Sequence, residues 1–241
     1  FCDFVQGWKK TNCFKKMITS IMQPTFIPSA IYFSLILQSD NFVFLDNVQF
    51  SKQSWQQRNI ILTSNGPKLL TLPVDKKNNL ISDTKIKISD NLIKKNLITI
   101  KENYSKTKFF KKYFPELEKI FNQKDENLTS FNIKIIKWMC QCFEIESNFY
   151  IASNITNNSD RIGRLLEICI KLKTSTYLSP LGAKEYLSDN ENYFEEKKIK
   201  VKYNDFDNQN FLIDGKILSA LHYLFIEGPK TVSMIKKSII K

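Results

Sequence analysis

The strongest signal of fold in this chain is IMQPTFIPSAIYFSLILQSDNFVFLDNVQFSKQSWQQRN, residues 21–59. The apolar runs Ile18–Met22 and Asn41–Leu45 have the β-branched and aromatic composition of buried strands. Between them, a loop bracketed by two prolines is expected to be stiff and extended, and a helix is predicted over residues 29–38. Strand, loop, helix and strand make a βαβ unit, which favours a parallel sheet.

The same alternation of strand and helix returns over residues 149–203, so we expect both parts to share one sheet. Residues 60–74 hold two apolar runs on either side of Asn65 and Gly66, which predicts a hairpin with a turn at Asn65-Gly66-Pro67. Over residues 90–147 the apolar residues take helical spacing. We therefore predict an α/β fold: a mixed, mainly parallel sheet with flanking helices and an inserted helical subdomain at about residues 90–147.

The chain is strongly basic, with 36 Lys and Arg against 24 Asp and Glu and a formal net charge of +12. Such a charge is typical of proteins that bind nucleic acid or membrane surfaces. Heavy use of Lys, Asn and Ile along the whole chain also fits drift in an AT-rich genome. Only Arg58, Arg161 and Arg164 are arginines, whereas base-edge readers rely on Arg. We expect no specific nucleic-acid partner, and a functional charge would serve phosphate-bearing small molecules.

The hydropathy of the chain and the sequence at its two ends indicate the cellular compartment in which we expect it. No run approaches about 18 uncharged apolar residues, so no transmembrane segment is predicted. Residues 1–16 lack a signal-peptide pattern and precede a natural start at Met17, so we expect them to be a non-native or disordered extension. Residues 231–241 are expected to form a C-terminal tail. The cytoplasm is the default compartment.

Metal and cofactor signals are missing from the sequence. Cys140 and Cys142 are two residues apart in a predicted helix and point to different faces, so they cannot share a metal. The sole histidine, His222, lies in an apolar helix, where a core or surface role is favoured over catalysis. We find no phosphate-binding loop, nucleophile elbow or dinucleotide motif. The sequence therefore identifies no metal site and no cofactor.

Four pieces of the sequence, taken in order, resemble the WbqC-like family of bacteria. They are residues 22–74 (MQPTFIP through KLLTLPV), 164–169 (RLLEIC), 176–187 (TYLSPLGAKEYL) and 217–229 (ILSALHYLFIEGP). The resemblance covers about residues 17–230, which we expect to be one WbqC-like α/β domain. It implies a place in gene clusters for O-antigen, a part of lipopolysaccharide, and for other surface polysaccharides. It also implies a glycine or aminoacyl transferase that acts on a sugar.

Three residues that follow the predicted strands are candidate catalytic groups. Asp46, at the end of the second strand, could take a proton from an attacking amine, or could cap the turn. Arg58 could bind a carboxylate or phosphate through two N–H groups, or could pair with Asp46. Asn59, like Gln49, could donate a hydrogen bond to a developing oxyanion.

Further residues of the first segment are candidates for substrate binding. The Gln23 amide, between a strand and a proline, could bind a carbonyl or a sugar hydroxyl, with a structural loop bond as the alternative. Trp55 could stack on a sugar or base face, although core packing is favoured. Lys52 could meet a phosphate, although a solvated surface position is favoured.

The second segment adds three candidates for the same site. Ser153 follows a strand and could act as a nucleophile only beside a base. Gly182 allows a close approach of the backbone to a ligand. Lys184 could contact a phosphate, with a surface position as the alternative.

Our hypothesis is an acyl transferase that moves a glycyl or aminoacyl group onto an amino sugar or nucleotide sugar. Asp46 would help to deprotonate the amine, while Arg58, Asn59 and Gln23 would bind the acceptor or the oxyanion. One alternative is a nucleotidyl- or phosphoryl-transferring enzyme. Another is a non-catalytic protein that binds a sugar or a partner of the polysaccharide assembly machinery. The sequence gives no sign of the oligomeric state.

Overall fold

The computed structural model of this protein describes residues 16–75, 80–87, 90–123 and 126–240. The strands are β1 (Ile18–Met22), β2 (Asn41–Phe44), β3 (Arg58–Thr63), β4 (Gly66–Thr71), β5 (Asn148–Ile151), β6 (Thr176–Pro180), β7 (Lys200–Asn204), β8 (Leu212–Ile213) and β9 (Lys216–Ile217). In this part of the chain, five strands form a parallel sheet in the order β5-β2-β1-β6-β7. The prediction of an α/β fold in which both segments share a sheet is confirmed.

Helices cover both faces of the sheet. They are α1 (Ala30–Leu37), α2 (Asp90–Tyr104), α3 (Phe110–Asn122), α4 (Leu128–Cys142), α5 (Arg161–Lys171), α6 (Lys184–Leu187), α7 (Glu191–Glu195), α8 (Ala220–Glu227) and α9 (Lys230–Ser238). Of these, α2, α3 and α4 lie within the predicted insertion at residues 90–147. The segment expected to be a tail holds α9, whose Thr231 and Ile235 are buried. Apart from Lys16, the predicted extension lies outside the described residues.

The first strand is the centre of the sheet. β1 pairs with β2 on one side, with Met22 opposite Phe44, and with β6 on the other side, with Thr19 opposite Tyr177. The chain therefore runs from β1 through α1 to β2 on one side of β1. Only much later does it add β6 on the other side. In an open parallel sheet, this reversal is a topological switch point, where a crevice forms outside the carboxyl ends of the strands.

The predicted hairpin is formed by β3 and β4, but it stands apart from the main sheet. The antiparallel pairing expected within one mixed sheet lies in this hairpin and in the small β8-β9 pair. The turn was predicted one residue too late, because Thr63 pairs with Gly66 and the turn residues are Ser64 and Asn65. Gly66 has φ of 91° and supplies the left-handed backbone where β4 begins.

Two apolar cores lie on the two faces of the sheet. The larger core joins α1, α8, the hairpin and the inserted helices, and it includes Phe33, Phe42 and Phe131. The smaller core packs α5 and α7 on the other face through residues such as Ile168 and Phe194. Within the described ranges, no helix combines the length and the apolar character needed to cross a bilayer.

A buried tyrosine and the sole histidine join the insertion to the hairpin and to α8. The Tyr104 hydroxyl accepts a hydrogen bond from the Leu62 N–H at 3.0 Å and lies 3.0 Å from His222 Nδ1. The tyrosine and the histidine share a hydrogen bond, and which of them donates depends on the tautomer of the imidazole. Burial lowers the pKa of His222 to about 4, so its ring is neutral near pH 7.

His222 makes the folded state sensitive to acid. Its folded pKa of about 4 lies below the ordinary value of 6.5, so the unfolded chain binds the proton more tightly. The contribution of His222 is complete above about pH 6.5 and is lost as the pH falls towards 4, by on the order of 3 kcal/mol. Urea unfolding across this range measures the slope. His222→Asn keeps an acceptor but cannot titrate, so we expect a flatter pH dependence; an unchanged slope would contradict the assignment.

Gly228, which ends α8, adopts a conformation that only glycine tolerates well. Its φ is 57°, and a Cβ built on it would lie 2.8 Å from three ring atoms of Phe109. We expect Gly228→Ala to lower the free energy of unfolding by about 2 kcal/mol in urea titrations. Gly182→Ala is the matched control, because no atom lies within 4 Å of its added methyl group. Similar losses in the two variants would refute this account.

Candidate functional site

A cavity of about 340 Å³ opens at the carboxyl ends of β1, β6 and β7. Met22, Pro180 and Asn204, the last residues of these strands, all line it. This edge of the sheet is its switch point, so we call the cavity that opens there the switch-point cavity. Its position is the one at which open parallel sheets bind ligands.

The switch-point cavity has an apolar body with a few neutral polar groups. The described residues that line it carry no charge: Met22, Thr25, Ser29, Ile31, Tyr32, Leu35, Trp55, Asn59, Pro180, Leu181, Gly182, Asn204 and Ile217. Burial raises the pKa of Tyr32, so its phenol stays protonated, and it donates to the Gln23 carbonyl at 3.1 Å. Trp55 is 53% exposed, so its ring is open to a ligand instead of packed in the core.

The loop after β1 forms one wall of the cavity and is held under strain. Ile27 is fully buried and has φ of 36°, a conformation that is rare for a β-branched residue. The Asn59 amide donates to the carbonyls of Phe26 and Ile27 at 3.1 and 3.0 Å. Both N–H groups of Asn59 are therefore engaged within the protein, and neither is available for an oxyanion unless the loop moves.

Gln23 takes part in a polar network behind this loop. Its side-chain oxygen accepts a hydrogen bond from Gln56 Nε2 at 2.5 Å, and Ser54 donates to the oxygen of the same Gln56 amide. From α4, the Asn132 amide donates to the carbonyls of Pro24 and Gln56 at 3.1 and 2.8 Å. The structural loop bond considered for Gln23 is thus present, and the side chain is not among those that line the switch-point cavity.

Asp46 lies in a second cavity, at the carboxyl ends of β2 and β5. Its carboxylate accepts hydrogen bonds from the backbone N–H and the hydroxyl of Ser153 at 2.9 and 2.7 Å. Asp46 is 3% exposed, whereas Ser153 is exposed and lines the same cavity. The base that Ser153 would need is therefore beside it, in the form of a carboxylate.

Arg58 joins neither of the other catalytic candidates in a cavity, since it lines neither the switch-point cavity nor the second cavity. It precedes Asn59 in β3, and successive strand residues point to opposite faces, so only Asn59 lines the switch-point cavity. The ion pair with Asp46 that we considered is not among the ion pairs of the described residues. Gln49 and Lys52 are exposed and line neither cavity.

The predicted site residues are therefore divided between two places on one sheet edge. Trp55, Asn59 and Gly182 come together in the switch-point cavity, while Asp46 and Ser153 come together in the second cavity. Lys184 lies outside both and places its ammonium 5.7 Å from the centre of the Tyr203 ring. No group of three or more His, Cys, Asp or Glu side chains in the described ranges is arranged to hold a metal ion.

Several lining residues were not singled out from the sequence. Thr25 belongs to the proline-bracketed loop and Ser29 follows its second proline, so their position after β1 was a signal that could have marked them. Asn204 ends the last strand of the sheet, and its amide accepts from Gln38 and donates to Ser34, both at 2.8 Å. No local pattern marks Asn204, because its role depends on the order of strands in the sheet.

Fold and site together define an α/β protein with a parallel sheet and an uncharged cavity at its switch point. Residues 23–234 match the WbqC-like protein family, so this chain belongs to that family. A relative is the uncharacterised protein Rv1507c of Mycobacterium tuberculosis, which is 28% identical over 192 residues, or 78% of this chain and 82% of that protein. No solved structure matches the chain. The resemblance inferred from the sequence is confirmed.

The contacts of Asn59 predict its effect on stability. Asn59→Asp keeps the size of the side chain but replaces an amide donor with an oxygen that faces two carbonyls. We expect the free energy of unfolding in urea to fall by about 3 kcal/mol. Asn65→Asp, at the exposed hairpin turn, serves as the control and should change it by less than about 0.5 kcal/mol. Equal effects at the two positions would contradict the bracing role.

Proposed function

We propose that this protein binds the ring of an amino sugar in the switch-point cavity and transfers an acyl group, glycyl or aminoacyl, to its amine. The observation that carries this proposal is a cavity of about 340 Å³ with an apolar body, hydroxyl and amide groups and no charge among its described lining residues. Its volume is in the range of small-molecule sites, about 300–1,000 Å³. Surface-polysaccharide synthesis, including O-antigen, is the setting that the family resemblance implies.

The lining suits a sugar ring better than an ion. A sugar presents an apolar C–H face and a rim of hydroxyl groups. The exposed ring of Trp55 can cover that face, and Thr25 and Ser29 offer neutral hydroxyl groups to the rim. Gly182 leaves open space beside its backbone, since no atom lies within 4 Å of the position of a Cβ.

The uncharged lining also bears on how an amine would react. An ammonium group loses its hydration in such a cavity and finds no carboxylate among the described lining residues, so its pKa falls. The neutral amine is the nucleophile that acyl transfer needs. It attacks the carbonyl carbon of a thioester donor, the C–N bond forms, the C–S bond breaks, and the departing thiolate takes the proton from nitrogen. In this scheme desolvation replaces the general base that we assigned to Asp46.

The alternatives differ in what they require of the same cavity. Nucleotidyl or phosphoryl transfer needs cations around the phosphates, and the described lining of the switch-point cavity offers none. The phosphates of a nucleotide sugar would have to lie outside it. A non-catalytic sugar-binding protein needs only the cavity, so it is distinguished from the transferase by turnover alone.

Removal of the Trp55 ring tests sugar binding. By isothermal titration calorimetry with D-glucosamine, we expect Trp55→Ala to weaken binding about tenfold, because the stacking face is lost. Leu69→Ala is the control, since Leu69 is 43% exposed on β4 and does not line the cavity. Equal affinities of the Trp55→Ala variant and the wild type would contradict the proposed site.

Turnover is tested by mass spectrometry of D-glucosamine incubated with a glycyl thioester and the purified protein. The expected result is N-glycyl glucosamine, formed more slowly by the Trp55→Ala variant. Sugar binding without product would support the non-catalytic alternative. Absence of both binding and product would overturn the proposal.

A further inference from the structure

The second cavity differs from the switch-point cavity in having charged side chains in its lining. Its volume is about 360 Å³, and nine of the eleven described residues that line it are polar or charged. It opens at the carboxyl ends of β2 and β5, on the same edge of the sheet. The two cavities therefore suit different ligands, and a ligand can bind in the second cavity whether or not a sugar binds in the first.

The charges around the second cavity favour an anion. Lys134 and Lys137 lie one turn apart on α4 and both line it. Asp46 is the acid in the described lining, and both of its oxygens already accept hydrogen bonds from Ser153. A ligand therefore meets the Lys137 side chain, while the carboxylate is 97% buried behind Ser153, since Asp46 is 3% exposed.

The start of α4 adds neutral donors and a favourable dipole. Thr129 and Ser130, in the first turn of this 15-residue helix, line the cavity, and the amino end of a helix carries partial positive charge. Independently of the helix, the Thr129 hydroxyl oxygen is buried and has no hydrogen-bond partner among the described residues. Buried polar groups are normally paired, so this hydroxyl is a group that a bound ligand or water would satisfy.

The position of Lys137 is fixed by an aromatic ring at the wall of the cavity. Its ammonium lies 5.6 Å from the centre of the Phe149 ring, a contact that restrains the side chain without neutralising it. Lys137 is exposed and lines the cavity, so its charge remains available to a ligand from solvent.

We infer that the second cavity is a binding site for a small oxygen anion, a phosphate or a carboxylate group, held by Lys137 and the Thr129 hydroxyl at the start of α4. The shared chemistry is a compact anion that accepts several hydrogen bonds. Phosphate places more charge and more acceptor atoms in the site than a carboxylate, so it is the tighter ligand of the two.

Calorimetric titration of the full chain with inorganic phosphate and, separately, with sodium acetate tests this site. Both titrations use about 0.15 M sodium chloride, so that loose binding to a basic surface is screened. We expect Lys137→Met to weaken phosphate binding about tenfold. Lys119→Met is the matched control, because Lys119 is equally cationic, lies on α3 and is outside the cavity. The affinity of this variant for phosphate should match that of the wild type.

Amide NMR shifts locate the bound ion. Phosphate should move the backbone signals of Thr129, Ser130 and Ser153 in the wild type and leave them in place in the Lys137→Met variant. Acetate that binds as tightly as phosphate would identify a carboxylate site, and phosphate that binds more tightly would identify a phosphate site. Equal loss of affinity in the two lysine variants, shifts centred elsewhere, or no binding of either ion below about 10 mM would overturn the inference. None of these outcomes depends on D-glucosamine or on acyl transfer.

Discussion

Two hydrogen bonds from one carboxamide hold together the parts of this protein that meet at its candidate site. The Asn59 amide connects the hairpin to the carbonyls of Phe26 and Ile27, in the loop that leaves the central strand. Without these donors, the carbonyls would be buried and unpaired, and the left-handed backbone of Ile27 would lose its support. The wall of the switch-point cavity exists because this loop is held in one conformation.

Other bonds reinforce the same loop from three directions. The Phe26 N–H donates to the Trp55 carbonyl at 2.9 Å, and the Ala220 N–H donates to the Pro28 carbonyl at 2.8 Å. Asn132 reaches the Pro24 carbonyl from α4 at 3.1 Å. The hairpin, α8 and the inserted helices therefore all contact a segment of six residues, 23–28. These three elements lie outside the main sheet. Each of them holds a part of the site that the sheet alone would leave mobile.

The sheet edge carries two chemically different cavities on either side of that loop. One has an apolar body with neutral polar groups, and the other has lysines and hydroxyl groups. The acyl transfer that we propose has two reactants, and two cavities of different charge are one way to keep them distinct. The division also separates residues that are close in the sequence, such as Asp46 and Asn59.

Local signals in the sequence were sufficient for the elements of the fold. The prolines around residues 24–28 and the apolar runs beside them predicted the first βαβ unit, which the structure contains as β1, α1 and β2. The return of alternating strands and helices late in the chain predicted the shared sheet. The change to helical spacing of the apolar residues predicted the helical insertion. Hairpin pairing was predicted as well, although its turn was displaced by one residue.

The arrangement of the site could not be read from the sequence in the same way. Whether Asn59 is free to bind a ligand depends on the carbonyl groups of Phe26 and Ile27, about 32 residues away in the chain. The partner of Asp46 is Ser153, separated from it by 107 residues. The alternation of β3 turns Arg58 away from Asn59, so proximity in sequence suggested a cluster that the strand geometry divides.

The central position of β1 affects how this protein folds during its synthesis on the ribosome. Thr19 in β1 bonds to Thr174, 155 residues later, and β6 begins only at Thr176. Because the chain is synthesised from its amino end, β6 leaves the ribosome only after most of the polypeptide has been made. During that time, β1 lacks one of its two neighbouring strands. The closure of such a distant contact carries a large entropic cost and makes folding slow. Until then, one edge of the central strand has no partner within the chain, and an unpaired strand edge is a site at which chains can pair with one another and aggregate.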